Sequence, residues 1–229
     1  MNEKKNFLNE TNSDLNLKID ENSKIIQNFH SLYYNSRVWE NTRFLNWPIL
    51  KCPLDMWIYQ EIICETSPDL IIETGTFFGG SALYMAFICD ILGKGKIITV
   101  DICPNPQVPK HRRITYLNGS SIAPEIITQI KSMNQGSKSV MVILDSDHSC
   151  AHVTEELKLY NEFVTEGNYL IVEDSNVNGN PIKPDFGPGP MEAIEIFLKA
   201  HREFTIDKGR AKFFMTQNPN GFLKKNKSE

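Results

Sequence analysis

Asp69-Leu-Ile-Ile-Glu73-Thr74-Gly75-Thr76-Phe77-Phe78-Gly79-Gly80-Ser81 joins an apolar run, an acid and a glycine-rich turn in immediate succession. Asp69 to Ile72 reads as a buried parallel strand with Glu73 at its carboxyl end, and Ser81-Ala-Leu-Tyr-Met-Ala-Phe-Ile-Cys-Asp-Ile-Leu opens a helix. Glycines let the backbone turn sharply and approach a ligand closely. In an open α/β sheet, ligands lie in the crevice at the carboxyl ends of the strands. The spacing Gly75-x-x-x-Gly79-Gly80 is not the G-x-G-x-x-G that cradles a dinucleotide pyrophosphate. An acid before such a turn suits a ligand with a cationic amino-acid end, a description that S-adenosylmethionine meets.

Outward from this turn the pattern alternates. Strands are expected at 69–73, 96–101, 113–116, 139–145 and 168–173, with helices at 80–92, 121–132, 150–164 and 190–200 separating most of them. Val153, Leu157, Tyr160 and Val164 recur at helical spacing, as do Met191, Ile194, Phe197 and Leu198 behind Pro190. Strands separated by helices imply βαβ units and a mostly parallel sheet. Phe204-Thr-Ile-Asp and Lys212-Phe-Phe-Met-Thr, with a turn at Gly209, predict a closing hairpin and an antiparallel strand. Upstream, helices are expected at 23–34 and 55–65, around an aromatic-rich stretch that holds Tyr33, Tyr34, Trp39, Phe44 and Trp47. The expected organisation is a loosely attached tail over 1–22, a helical extension over 23–66, an α/β domain over 67–223 and a short tail over 224–229.

A chain of 229 residues fits one domain with a sizeable core. A net charge of −4 gives no broad electrostatic footprint for nucleic acid. Residues 1–20 have no apolar segment of the secretory kind, and no run approaches the length of a membrane span. Cys52, Cys64, Cys89, Cys103 and Cys150 form no C-x-x-C pair, so no zinc or thioredoxin-type motif is suggested. Reduced thiols and a cytoplasmic location are expected, with neither nucleic acid nor membrane as a partner.

The strand Lys96-Ile-Ile-Thr-Val-Asp101 also ends in an acid, which in a nucleotide-type fold accepts hydrogen bonds from ribose hydroxyls. Turn capping is the plainer role for Asp101. Small residues at Asn118-Gly119-Ser120-Ser121 leave room for an adenine ring, and Ser120 or Ser121 equally suits a helix cap. Two further strands run into Asp145-Ser146-Asp147-His148 and Glu173-Asp174. Acids crowded at neighbouring strand ends repel unless they protonate or bind a cation, and oxygen donors favour a hard one such as Mg²⁺. Solvated, helix-capping acids are the bland alternative. His148 suits a general base or a surface cap, His152 a structural role, and His111 a solvated loop. The long connection 176–190, rich in proline and glycine, reads as a lid over an acceptor or as a mere link.

Tyr33-Tyr34-Asn35-Ser36-Arg37-Val38-Trp39, Ile49-Leu50-Lys51-Cys52-Pro53-Leu54-Asp55, Glu73-Thr74-Gly75-Thr76, Leu144-Asp145-Ser146-Asp147-His148-Ser149 and Val172-Glu173-Asp174 together resemble the cephalosporin hydroxylase family. Pro188-Gly189-Pro190-Met191-Glu192-Ala193 and Gln217-Asn218-Pro219-Asn220-Gly221 extend the likeness over about residues 30 to 223. The resemblance implies a Rossmann-like class I methyltransferase fold and S-adenosylmethionine-dependent O-methyl transfer with a Mg²⁺ site. It also implies kinship with rhamnosyl O-methyltransferases. It places the cofactor at Glu73, Gly75, Thr76, Phe77, Gly79, Ser81, Asp101, Ser120 and Asp145. It places the metal at Glu173 and Asp174 with one Asp of the Asp145/Asp147 pair, here assigned to Asp147. Asp145 and His148 are left as the catalytic pair. Glu173-Asp174 departs from the Asp-Asn of catechol-type relatives, which argues against a catechol acceptor.

The expectation is therefore an α/β chain with a seven-stranded mixed sheet, helices on both faces and an N-terminal helical extension. It would methylate a hydroxyl of a small molecule, a sugar or a secondary metabolite. The aromatic extension predicts association into at least a dimer, the competing reading being that these rings pack on their own domain or roof the acceptor pocket. The rival readings are a nicotinamide-dependent oxidoreductase, which the missing pyrophosphate motif disfavours, and a non-catalytic cofactor-binding subunit, which the acidic rim disfavours. Hydroxylase chemistry is set aside for want of a 2-His-1-carboxylate set.

Overall fold

A computed structural model describes residues 23–103 and 105–227 of the chain. The tail expected over 1–22 lies outside the described residues. The chain enters on helix α1 (Ser23–Asn35), makes a short hairpin of β1 (Arg43–Phe44) and β2 (Trp47–Pro48), and continues into α2 (Pro53–Thr66). The alternation then begins: β3 (Leu70–Thr74), α3 (Gly80–Ile91), β4 (Lys96–Asp101), β5 (Ile114–Asn118), α4 (Pro124–Met133), β6 (Val140–Leu144), α5 (Cys150–Tyr160) and β7 (Tyr169–Val172). Helix α6 (Pro190–Ala200) and strands β8 (Phe204–Ile206) and β9 (Phe222–Lys225) close it.

The large sheet has seven strands in the order β5-β4-β3-β6-β7-β9-β8. Strands β5 to β7 pair in parallel, and β9 runs antiparallel to both β7 and β8. The seven-stranded mixed sheet expected from the sequence is thus the one observed. The closing hairpin is displaced from its expected place. Residues 212–216 form no strand, and the last strand begins at Phe222, running through Lys224 and Lys225 into the stretch read as a tail. Lys225 is fastened there, its Nζ donating to the carbonyls of Val164 at 2.9 Å and Asn161 at 3.3 Å.

Side chains alternate across each strand, so the sheet has two buried faces. Leu70, Ile72, Val140, Val142, Leu170 and Val172 meet α4, α5 and α6 on one face. Ile71, Ile97, Met141, Ile143, Tyr169 and Ile171 meet α2 and α3 on the other. Gly80 shows how tightly the extension is set against the second face: a Cβ there would lie 2.1 Å from the carbonyl oxygen of Pro48. The chain leaves β3 toward β4 on one side and returns to β6 on the other, so the crevice opens at the carboxyl ends of β3, β4 and β6.

Candidate active site

That crevice is a cavity of about 760 Å³. It runs from the first turn (Gly75 to Phe78, with Gly80 and Ser81) past Asp101 and Ile102 to Gly119, Ser120 and Ser121. On its other side it reaches Asp145, Ser146, Asp147, His148 and Asp174. Its remaining wall comes from outside the α/β repeat: Tyr34, Trp39, the segment Pro48 to Lys51, and Lys183.

The first turn is shaped by its neighbours. Gly75 has φ of 86°, and a Cβ on it would lie 1.8 Å from the carbonyl oxygen of Asp145. The adjoining strand end by itself requires glycine here, at a position that also lines the cavity. Gly79, expected to approach the cofactor, does not line the cavity; its φ of 72° caps α3, and a Cβ there would meet Pro109 at 2.9 Å. The Asp101 carboxylate accepts from Phe77 N–H at 2.8 Å and Cys103 N–H at 2.8 Å, tying β4 to the turn at the cavity wall. Thr76 Oγ1 lies 2.7 Å from Thr99 Oγ1, while the Phe77 ring is exposed.

Glu73, the acid on which the cofactor reading opened, is not in the wall. It shares the face of Ile71, so it turns under α3 and is fully buried. One oxygen accepts from Ser81 Oγ at 2.5 Å and the other from Thr99 Oγ1 at 2.7 Å. Burial pushes its carboxyl up to about 7, against the opposing pull of Lys51 and the two hydroxyl donors. Ser81 and Ser120 do line the cavity.

Asp145 and Glu173 follow the same alternation, on the face of Ile143 and Ile171, and they meet Lys51 there. Lys51 Nζ lies 2.6 Å from Asp145 Oδ2 and 2.5 Å from Glu173 Oε1. Tyr59 on α2 donates to the same Glu173 oxygen at 2.6 Å. Asp174 takes the opposite course. Its φ of 51° turns the chain at the strand end, and its backbone N–H donates to Asn218 Oδ1 at 3.0 Å. Its carboxylate meets His148 Nε2 at 3.2 Å. Asp145, His148 and Asp174 each present a donor atom within 4.8 Å of the others.

The expected ligands stand in different surroundings. Glu173 is taken up by Lys51 and Tyr59. Asp147 is exposed, its Oδ1 accepting from Ser149 N–H at 2.7 Å, a bond that lowers its pKa. Neither belongs to the cluster, whereas Asp145 and His148 do. Burial pushes the carboxyls of Asp145, Glu173 and Asp174 upward. Burial alone would lower His148, but Asp174, Asp145 and Glu173 outweigh it and raise the imidazole. Lys51 is likewise raised despite its burial, by Asp145, Glu173 and Glu73.

Other expectations resolve simply. His152 lines the cavity and links Ser121 at 3.1 Å to Glu156 at 3.5 Å. His111 belongs to an ion cluster, 3.0 Å from Asp90, and not to a solvated loop. In the 176–189 connection Asn176, Val177, Ile182 and Gly189 are buried and 183–186 are exposed; Lys183 alone of it lines the cavity, its Nζ 5.4 Å from the Tyr34 ring centre. Tyr34 stacks on Trp39 at 5.5 Å. The sequence reading passed over Lys51, Tyr59, Gly80 and Lys183 as site-forming residues. A lone lysine inside the apolar stretch Ile49-Leu50-Lys51-Cys52 was the available signal, because a buried ammonium demands acids.

Residues 36–226 match the family model described as rhamnosyl O-methyltransferase/CmcI. The chain belongs to this family. A rhamnosyl O-methyltransferase of Mycobacterium bovis is 42% identical over 209 residues, covering 88% of this chain and 85% of that protein. Its Mycobacterium leprae counterpart is 42% identical over 208 residues, covering 87% and 90%. Among solved structures, a CmcI structure with Mg and SAM superposes with a TM-score of 0.63 at 20% identity, over 82% of this chain and 78% of that one. A structure of the mycinamycin-pathway methyltransferase MycE with Mg and SAH superposes with a TM-score of 0.52 at 18% identity, over 75% and 48%. The shared architecture is the class I methyltransferase fold, and a member of this family is an O-methyltransferase.

Proposed function

We propose that the chain transfers a methyl group from S-adenosylmethionine to a hydroxyl of a sugar-bearing small molecule, with a divalent cation such as Mg²⁺ at the acidic end of its cavity. One observation carries this reading: a single crevice leads from the glycine turn and Asp101 directly to Asp145, His148 and Asp174. Asp101 suits the ribose hydroxyls, and Gly119 to Ser121 leave room for the adenine ring. S-adenosylmethionine supplies the methyl group. Asp145 and Asp174 are oxygen donors of the kind a hard cation takes. A bound Mg²⁺ supplies the charge that acidifies a neighbouring hydroxyl. His148, whose Nε2 lies 3.2 Å from the Asp174 carboxylate, takes the acceptor proton. Tyr34 and Trp39 offer a flat face to a pyranose ring, and Lys183 closes over it. Holding acceptor and methyl group in line supplies most of the acceleration. The rhamnosyl relatives favour a sugar hydroxyl as acceptor.

Association with a second copy belongs to the same reading. So does a cytoplasmic location, which the free state of all five cysteines supports. Among the described residues no helix is long and apolar enough to cross a membrane.

The test is labelled methyl transfer onto a set of rhamnosides and other glycosides. Label should appear on a sugar hydroxyl, stop on chelation and return with Mg²⁺. Asp174→Asn should lose turnover while calorimetry still registers S-adenosylmethionine. No calorimetric signal for the cofactor would overturn the methyl-donor assignment. Full turnover in excess chelator, with no metal by elemental analysis, would overturn the cation.

A further inference from the structure

Glu156 on α5 is fully buried, yet one of its oxygens, Oε2, has no hydrogen-bond partner among the described residues. Its companions on the helix, Val153, Leu157 and Tyr160, belong to the apolar core. A carboxylate is costly in such surroundings, so what it holds carries its meaning. Oε1 accepts from Ser146 Oγ at 2.7 Å and lies 3.5 Å from His152 Nε2. The same imidazole nitrogen lies 3.1 Å from Ser121 Oγ. Ser121 is braced from α5 a second time, its carbonyl accepting from the Tyr160 hydroxyl at 2.8 Å. Ser121, Ser146 and His152 all line the cavity, and Glu156 stands behind them.

The direction of the protons follows from the acid. An ionised carboxylate only accepts. Ser146 therefore points its proton at Glu156, which leaves the lone pairs of its Oγ for a ligand. The acid likewise favours the proton on His152 Nε2, which then donates to Ser121 Oγ and leaves the Ser121 hydroxyl as a donor. The cavity edge thus offers an acceptor and a donor. Adenine carries the complement on its pairing edge, an amino donor beside a ring-nitrogen acceptor. Hypoxanthine reverses both, with an oxo acceptor beside a ring N–H.

We propose that Glu156 is a positioning residue for the base of the cofactor. It sets the polarity of Ser146, His152 and Ser121, and the edge they form selects adenine over its deaminated counterpart. The inference rests on reading the Gly119–Ser121 end of the cavity as the adenine subsite.

Calorimetric titration of the full chain with S-adenosylhomocysteine and with S-inosylhomocysteine tests it, using wild type, Glu156→Gln and Ser146→Ala. Wild type should prefer the adenine ligand by at least about tenfold, the scale of a mismatched pair of hydrogen bonds on a base edge. In Glu156→Gln the preference should fall to about threefold or less, because an amide can donate as well as accept and lets Ser146 reverse. A merely structural acid would weaken both ligands alike, and an unchanged preference in this variant would overturn the proposal. So would a wild type that binds the two ligands equally. If circular dichroism shows that Glu156→Gln does not fold, Ser146→Ala decides. It should weaken the adenine ligand several-fold and leave the inosyl ligand within about twofold, and an equal loss for both would overturn the proposal. No signal for S-adenosylhomocysteine from wild type would instead remove the cofactor reading itself, and this inference with it.

Discussion

Glu73 accepts two hydroxyl hydrogen bonds, and burial pushes its carboxyl up to about 7 from the ordinary 4.5. Between those values the folded chain keeps a proton that the unfolded chain has released. Its contribution to stability is therefore present below about pH 4.5 and lost as pH rises toward 7. Denaturant titrations of the cofactor-free protein should show stability falling across this window, and Glu73→Gln should remove on the order of 2–3 kcal/mol of that fall. Asp55, also raised to about 7 by burial, keeps a residual slope in the variant. Identical slopes in wild type and variant would show that Glu73 is ionised throughout. At this scale the sequence shows where acids gather and, through strand parity, which face three of them take. Strand alternation places Glu73, Asp145 and Glu173 on the face of Ile71, Ile143 and Ile171, and a period of two residues is enough to establish that parity. No such periodicity foretells the αL turn at Asp174, which sends its carboxylate to His148, because Asp adopts that conformation only where its surroundings impose it.

Among elements, the contact between α3 and the β2 strand end decides whether the site closes. Gly80→Ala would drive a methyl group into the Pro48 carbonyl and push away the segment that carries Lys51. Urea unfolding should register a loss of about 1–3 kcal/mol, the usual cost of overpacking, and cofactor affinity should fall with it. Wild-type stability and affinity together would mean that the extension is not fastened at this point. The alternating elements from β3 to β7 were legible because their apolar runs and intervening helical stripes are long and regular. The closing hairpin was misplaced because Lys212-Phe-Phe-Met has the composition of a strand, yet follows a 3₁₀ turn (Lys208–Ala211) and folds inward at Met215. The strand that does pair with β7 hides its pattern, since the ammonium groups of Lys224 and Lys225 lie over the rings of Tyr169 and Phe204.

For the whole molecule, the aromatic extension is expected to join copies together, and several of its rings also pack on their own domain. Phe44 meets Tyr84 and Phe87, while Tyr34 and Trp39 roof the cavity. Among the described residues, α1 leaves open an apolar stripe of Ile25, Phe29 and Leu32, exposed by 67%, 53% and 68%. If copies associate, light scattering should show the species above monomer shift to monomer when Phe29 and Leu32 are both changed to Ser, with unfolding unaltered. A monomeric wild type at micromolar concentration would remove the oligomer from the reading. The cavity's two walls come from separate parts of the chain. The α/β repeat builds the end toward Asp101 and Ser120, whereas Tyr34, Trp39 and Lys183 are contributed by segments that lie outside the strand-helix alternation. Substrate range can thus drift through those appended segments while the donor end stays fixed, so exchanging 34–50 and 177–187 between relatives is the economical route to a new acceptor.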